Sequence, residues 1–214
     1  MHRQMNMNRW VDLESSAKML LLSNLLTIVV AILFHWSILT LLWGYWLQSI
    51  SIGLFTVVKL FMFGHRNKHQ RLLFTAIRDS IFFSVHYGIF HFVYLIFLYF
   101  FSTSGSSGFH FRQPDIIGIT FIGVLFFVNH LYSFLKNYVL EKKHIGLSTN
   151  QIFLEPYKRI FPMHLIIIAA GFFSAMVPSA ETPLIIVFLL LKTLADLKSH
   201  EILHQSDTCP SFLH

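Results

Sequence analysis

Charge is what this sequence has least of: Asp, Glu, Lys and Arg make up 12% of its 214 residues, against roughly 25% in soluble domains. That scarcity excludes an ordinary soluble core. Cysteine is nearly absent, and the single Cys209 rules out an intramolecular disulfide and any CxxC metal or redox motif. HExxH and clustered histidine boxes are missing too. No GxxxG occurs in an apolar run, since Gly118 and Gly123 are five apart. No internal repeat marks an inverted-repeat transporter.

What remains is apolar. Hydrophobic residues reach 55%, with 24 Phe, and six stretches approach the roughly 20 residues that cross a bilayer core. They run from 19 to 36, 38 to 63, 76 to 101, 115 to 140, 160 to 178 and 183 to 200. The fold class is therefore all-α, a six-helix transmembrane bundle. Only Ser37 divides the first two stretches, so the turn there is tight and Ser37 is its natural helix cap.

The basic residues orient this bundle. Of 16 Lys and Arg, 15 fall on one side: Arg3, Arg9 and Lys18; Lys59, Arg66, Lys68, Arg71 and Arg78; Lys136, Lys142, Lys143, Lys158 and Arg159; Lys192 and Lys198. Arg112 alone lies opposite. By the positive-inside rule both termini are cytoplasmic, in a cytoplasmic (inner) membrane protein. The pI near 9.6 accordingly reflects loops flanking apolar runs and not a nucleic-acid face. The expected divisions are a polar cytoplasmic segment 1–18, a membrane domain 19–200 and a cytoplasmic tail 201–214. With Asp12 and Glu14 in its polar lead, the first helix reads as a retained anchor, not a cleavable signal. Ser102–Gly108 is a flexible outer loop and Pro178–Pro183 a short turn.

Ionisable residues inside hydrocarbon are costly and count as functional candidates. His86 and His91 lie in the third stretch, His130 in the fourth, His164 in the fifth and His35 at the outer end of the first. Ten residues from their cytoplasmic ends, His86 and His130 are both ~15 Å deep and meet only if the third and fourth helices face each other. Asp79, Ser84 and Tyr87 accompany His86. Asn129, His130, Ser133 and Asn137 form a polar stripe, and Lys192, Asp196 and His200 recur at i, i+4 and i+8.

Three readings follow. His86, His130, His164 and Asp196 offer three imidazoles and a carboxylate, a set suited to zinc, iron or copper, or to haem through His86 and His130. Alternatively, Asp79, His86, His130, Lys192 and Asp196 line a path for a proton or small solute. In the third reading these groups are packing glue, with Arg78–Asp79 and Lys192–Asp196 as ion pairs, in a scaffold or accessory subunit beside a partner membrane subunit. None of the three establishes an enzyme.

Other features have plain readings. Trp36, Trp43, Tyr45 and Trp46, with Tyr94 and Tyr99, suit an outer aromatic belt, and His65–Arg71 is a basic turn near anionic lipid heads. Glu155 and Pro156 open the fifth helix.

The run Tyr45–Ser49 followed by Gly53, the run Val85–His91, the run Glu155–His164, and Lys192 to Asp196 with His200 together resemble an uncharacterised family of prokaryotic membrane proteins, domain of unknown function 6498, over about residues 20 to 200. The resemblance implies a helical membrane bundle and no established reaction or cofactor. His86, His91 and His164 match its motif positions. An acidic residue often stands where this chain has Gln48.

Overall fold

In hydrocarbon every backbone polar group must be satisfied within the chain, and continuous helix does this for a single segment. The computed structural model describes residues 2–66, 70–103 and 112–140 without interruption, then 152–154, 156, 157, 164, 168, 169, 172, 173, 176, 177, 185–187 and 189–194. Side chains are described from Lys18 to Phe63 and from Leu73 onward within that set. The protein is all-α, with no strand among the described residues. Helix α1 spans His2–Leu33, α2 Ile38–Arg66, α3 Gln70–Thr103 and α4 Ile116–Ser133; α4 continues as a π-helix over Phe134–Leu140. Among the described residues, three stretches are long and apolar enough to cross a membrane: Ile38–Phe63, Leu73–Thr103 and Ile116–Leu140. Lys18–Leu33 and Ile185–Leu194 are shorter apolar helices.

The helices overrun the apolar stretches at their polar ends. α1 starts at His2, not at residue 19, and α3 at Gln70, not at Ala76. Hydropathy locates the apolar part of a helix, whereas backbone hydrogen bonding carries the helix on into polar sequence.

Between α1 and α2 the chain reverses over Phe34–Ser37. His35 takes the left-handed backbone conformation at φ 50°, uncommon for a residue with a Cβ, and this ends α1. Ser37 is the expected cap: its Oγ accepts from the Thr40 N–H at 3.2 Å and donates to the Gln113 carbonyl at 3.2 Å. The Thr40 hydroxyl, 3.0 Å from Ser37 Oγ, in turn accepts from the Asp115 N–H at 2.8 Å. Asp115 itself caps α4, its carboxylate accepting from the Ile117 N–H at 2.9 Å. The Arg112 guanidinium donates to the His35 carbonyl. The first turn and the start of α4 are thus one hydrogen-bonded rim.

Packing in lipid rests on close approach and not on expelling water. α2 is the central helix, touching α3 on one flank and α4 on another. On the α4 flank Gly44 lies against Ile122, and Gly123 against Leu47. On the α3 flank, a Cβ at Gly53 would fall 2.5 Å from Cε1 of Tyr87, so only glycine admits that ring. The Tyr87 hydroxyl then reaches the Ser49 carbonyl at 2.7 Å. α1 packs on α4.

Of the described residues that follow α4, those from Phe153 to Phe172 line up on α3. Phe153 meets Phe82 and Phe83, Tyr157 meets Phe83 and Tyr87, His164 meets His91 and Tyr94, and Phe172 meets Phe101. Both series ascend together, so this segment runs parallel to α3.

Most of the expected aromatic belt lies inside the bundle. Trp36, Tyr45 and Tyr94 are buried. Trp43 Nε1 donates to Ser102 Oγ at 3.1 Å, and Trp46 Nε1 to the His91 carbonyl at 3.1 Å. These rings join helices because their polar edges find partners there. Tyr99, 67% exposed, keeps the expected outward position. Outside the bundle, Ile81, Val85, Ile89 and Phe92 of α3 and Ile117, Val124 and Val128 of α4 are exposed. So large an apolar surface suits lipid.

Candidate functional site

Two apolar clusters hold the bundle, one around Leu39, Leu42, Tyr94, Ile122, Phe126 and Leu189 and another around Leu60, Phe83, Tyr87 and Ile152. Buried polar side chains lie at the level between them. Asn24, Gln48 and His91, together with the Phe126 ring, each lie within three residues of the middle of their apolar span, or about 5 Å at 1.5 Å per residue.

His91 is fixed on several sides. The buried face of α3 carries Ser80, Phe83, Tyr87, His91, Tyr94, Leu98 and Phe101 at three- and four-residue steps, which keep one side inward. Tyr87 stacks on the His91 ring at 4.2 Å and 25°. His91 Nδ1 is 2.8 Å from the Tyr87 carbonyl. A carbonyl only accepts, so Nδ1 carries the proton and Nε2 keeps its lone pair. That Nε2 is buried and has no hydrogen-bond partner among the described residues; neither do Tyr94 Oη and Gln48 Oε1. The His164 ring completes the group, edge-on to His91 at 5.7 Å and to Tyr94 at 5.4 Å. Gln48 lies on α2 between Trp46 and Ser49, which bond to His91 and Tyr87, so it shares their level.

The second buried feature is an ammonium. Lys192 is wholly inaccessible. Its Nζ donates to Asn24 Oδ1 and lies 4.5 Å from the Tyr45 ring centre and 4.2 Å from that of Phe126. Two ring faces and a carbonyl are good surroundings for a cation away from water. Lys192 therefore does not belong with the cytoplasmic loop charges among which the sequence reading counts it. It joins the Ile185–Leu194 helix to α1, α2 and α4.

Of the four residues expected to hold a metal, His86, His130 and His164 are described, and these three do not converge. α2 stands between α3, which carries His86, and α4, which carries the half-buried His130. His86 is exposed, with Nδ1 2.8 Å from the Tyr157 hydroxyl. His164 is the one of the four placed against another buried imidazole. Asp196 and His200 lie outside the described residues. Asp79 pairs with its neighbour Arg78 at 2.9 Å near the start of α3, the expected ion pair. Asn137, on the π-helix, donates to Ser133 Oγ at 3.0 Å, so the polar stripe stays hydrogen-bonded across the junction. Among the described residues no three of His, Cys, Asp and Glu converge.

A family model described as a family of unknown function, DUF6498, matches residues 7–211. The chain belongs to that family. No curated protein and no solved structure matches it. Within this DUF6498 chain, the runs Tyr45–Ser49, Val85–His91 and Glu155–His164 supply Gln48, His91 and His164 of the buried layer. The sequence signal that separates His91 from His86 is the step pattern of Phe83, Tyr87, Tyr94 and Leu98, which puts His91 on the inner face.

Proposed function

We propose that this DUF6498 protein crosses the cytoplasmic membrane six times, with both termini inside, and binds a transition-metal ion at mid-membrane through His91 and His164. The parallel course of α3 and the segment bearing His164 supports the crossing pattern, because two helices separated by one other cross in the same sense. The basic loops support the orientation.

One observation carries the metal reading: the Tyr87 carbonyl holds Nδ1 of His91 and leaves a buried Nε2 lone pair beside His164. Metal-bound histidines are oriented by such a hydrogen bond to the other ring nitrogen. Imidazole suits zinc, copper and iron. Gln48 and Tyr94 add neutral oxygen atoms at the same level, so His164 is kept from the sequence-derived set and His91 takes the place of His86.

The test is metal analysis of the detergent-purified protein by mass spectrometry, with a visible spectrum. About one equivalent of zinc, copper or iron is expected, lost in His91→Ala and kept in His35→Ala. A metal-free protein without a haem band would overturn the reading.

A further inference from the structure

His86 poses a different problem. It lies two residues from Gly88, the middle of the Leu73–Thr103 span, so it is about 3 Å from the midplane, yet its side chain is exposed on the perimeter of the bundle. At that depth neither water nor acyl chains offer a hydrogen-bond partner. A polar ring there marks function by default.

Its surroundings are specific. The Tyr157 hydroxyl lies 2.8 Å from Nδ1. Nε2 makes no hydrogen bond among the described residues; with the phenol donating to Nδ1 the ring proton is on Nε2, and with the phenol accepting Nε2 keeps a lone pair. Phe82 lies parallel to the imidazole at 5.6 Å and 8°, Phe153 extends that stack at 5.8 Å and 22°, and Phe90 stands edge-on at 5.1 Å. Val85 and Ile89 are exposed nearby on α3.

We propose that this is a lateral binding site for a membrane-dissolved molecule of the quinone class. In the tautomer with the proton on Nε2, a ring carbonyl accepts from His86 Nε2–H, the flat ring lies parallel to Phe82 with Phe90 edge-on to it, and the isoprenoid tail lies along the exposed aliphatic residues of α3. Three observations select this occupant over bulk lipid. The depth admits only what is dissolved in the bilayer, acyl chains do not use a donor, and the parallel aromatic faces suit a planar ring. The site does not depend on the metal reading, because residues 86 and 91 are about 140° apart around a helix.

The test uses the full chain in quinone-free nanodiscs, irradiated with an azido-quinone photoprobe. Labelling is expected in the peptide containing residues 82–90, competed by an unlabelled short-chain quinone. It should fall at least tenfold in His86→Leu and less in His86→Gln, which keeps a donor. Metal content should not change in His86→Leu, so failure here and failure of the metal reading are distinguishable. Uncompeted labelling spread over many peptides would overturn the proposal, as would unchanged labelling in His86→Leu. So would a disulfide-linked dimer formed by His86→Cys in a Cys209→Ser background, because a second copy would then cover the ring.

Discussion

Lys192 shows how one residue can be flagged correctly and still be placed wrongly. The sequence marks it as a costly charge within an apolar run; its position in that run suggests a cytoplasmic anchor and a partner four residues on. In the fold its ammonium meets Asn24 and two aromatic faces contributed by α1, α2 and α4, contacts that no local pattern encodes. Removing the Asn24 acceptor should cost about 1.5–3 kcal/mol, the range for hydrogen bonds to charged groups. Asn24→Ala should therefore lower Tm in detergent, and an unchanged Tm would show the ammonium to be held without it. Gly53 gives a second prediction at this scale. Gly53→Ala sets a methyl against the Tyr87 ring, and overpacking of this kind costs about 1–3 kcal/mol. Gly88→Ala, with open space at that position inside α3, should not lower Tm and should raise it slightly, because alanine favours helix over glycine. Ser37 and the Arg78–Asp79 pair were legible because each acts on near neighbours in sequence. The choice of His91 over His86 as the inward imidazole depends on how α3 is rotated, which Gly53 and Ser49 of α2 fix from outside α3.

At the scale of elements, the existence of the helices was readable and their ends were not. Apolar runs located α2, α3 and α4. Their polar extensions, and the change from α- to π-helix at Phe134, depend on tertiary partners. Phe134 stacks on Tyr138 at 5.6 Å, Tyr138 donates to the Lys59 carbonyl at 2.9 Å, and Phe55 lies against Phe134. The wider turn lets both rings meet α2, while Asn137 still bonds to Ser133 of the polar stripe. The α2 cap offers a test. Loss of an N-cap side chain typically costs about 1 kcal/mol, and Ser37 also bonds to Gln113. Ser37→Ala should lower Tm, with Ser37→Asp restoring the cap to α2 but not the bond to Gln113; equal Tm for all three would show the cap to be idle.

For the whole molecule, all-helical membrane character followed from composition alone, while the order of helices in space did not. Sequence neighbours α3 and α4 are separated by α2, and the buried polar layer lies near the middle of the apolar stretches, between the two apolar clusters. Hydropathy is blind to both facts, since any arrangement of apolar helices satisfies it. Six crossings with both termini inside predict that, in a Cys209→Ser background, cysteine at Ser106 reacts with an impermeant thiol reagent in intact cells. Cysteine at Lys142 should react only after lysis. The reverse pattern would invert the topology.

The hydrogen-bond relay from Asp115 through Thr40 and Ser37 to Gln113 has a mechanical consequence. It clamps the α1–α2 turn to the start of α4, so those elements move as one body at these ends. Any breathing of the bundle that admits an ion to His91 must pivot about that clamp and widen toward the other end, where Lys59 and Tyr138 meet. A covalent cross-link across the rim should leave metal loading intact; one between positions 59 and 138 should slow it.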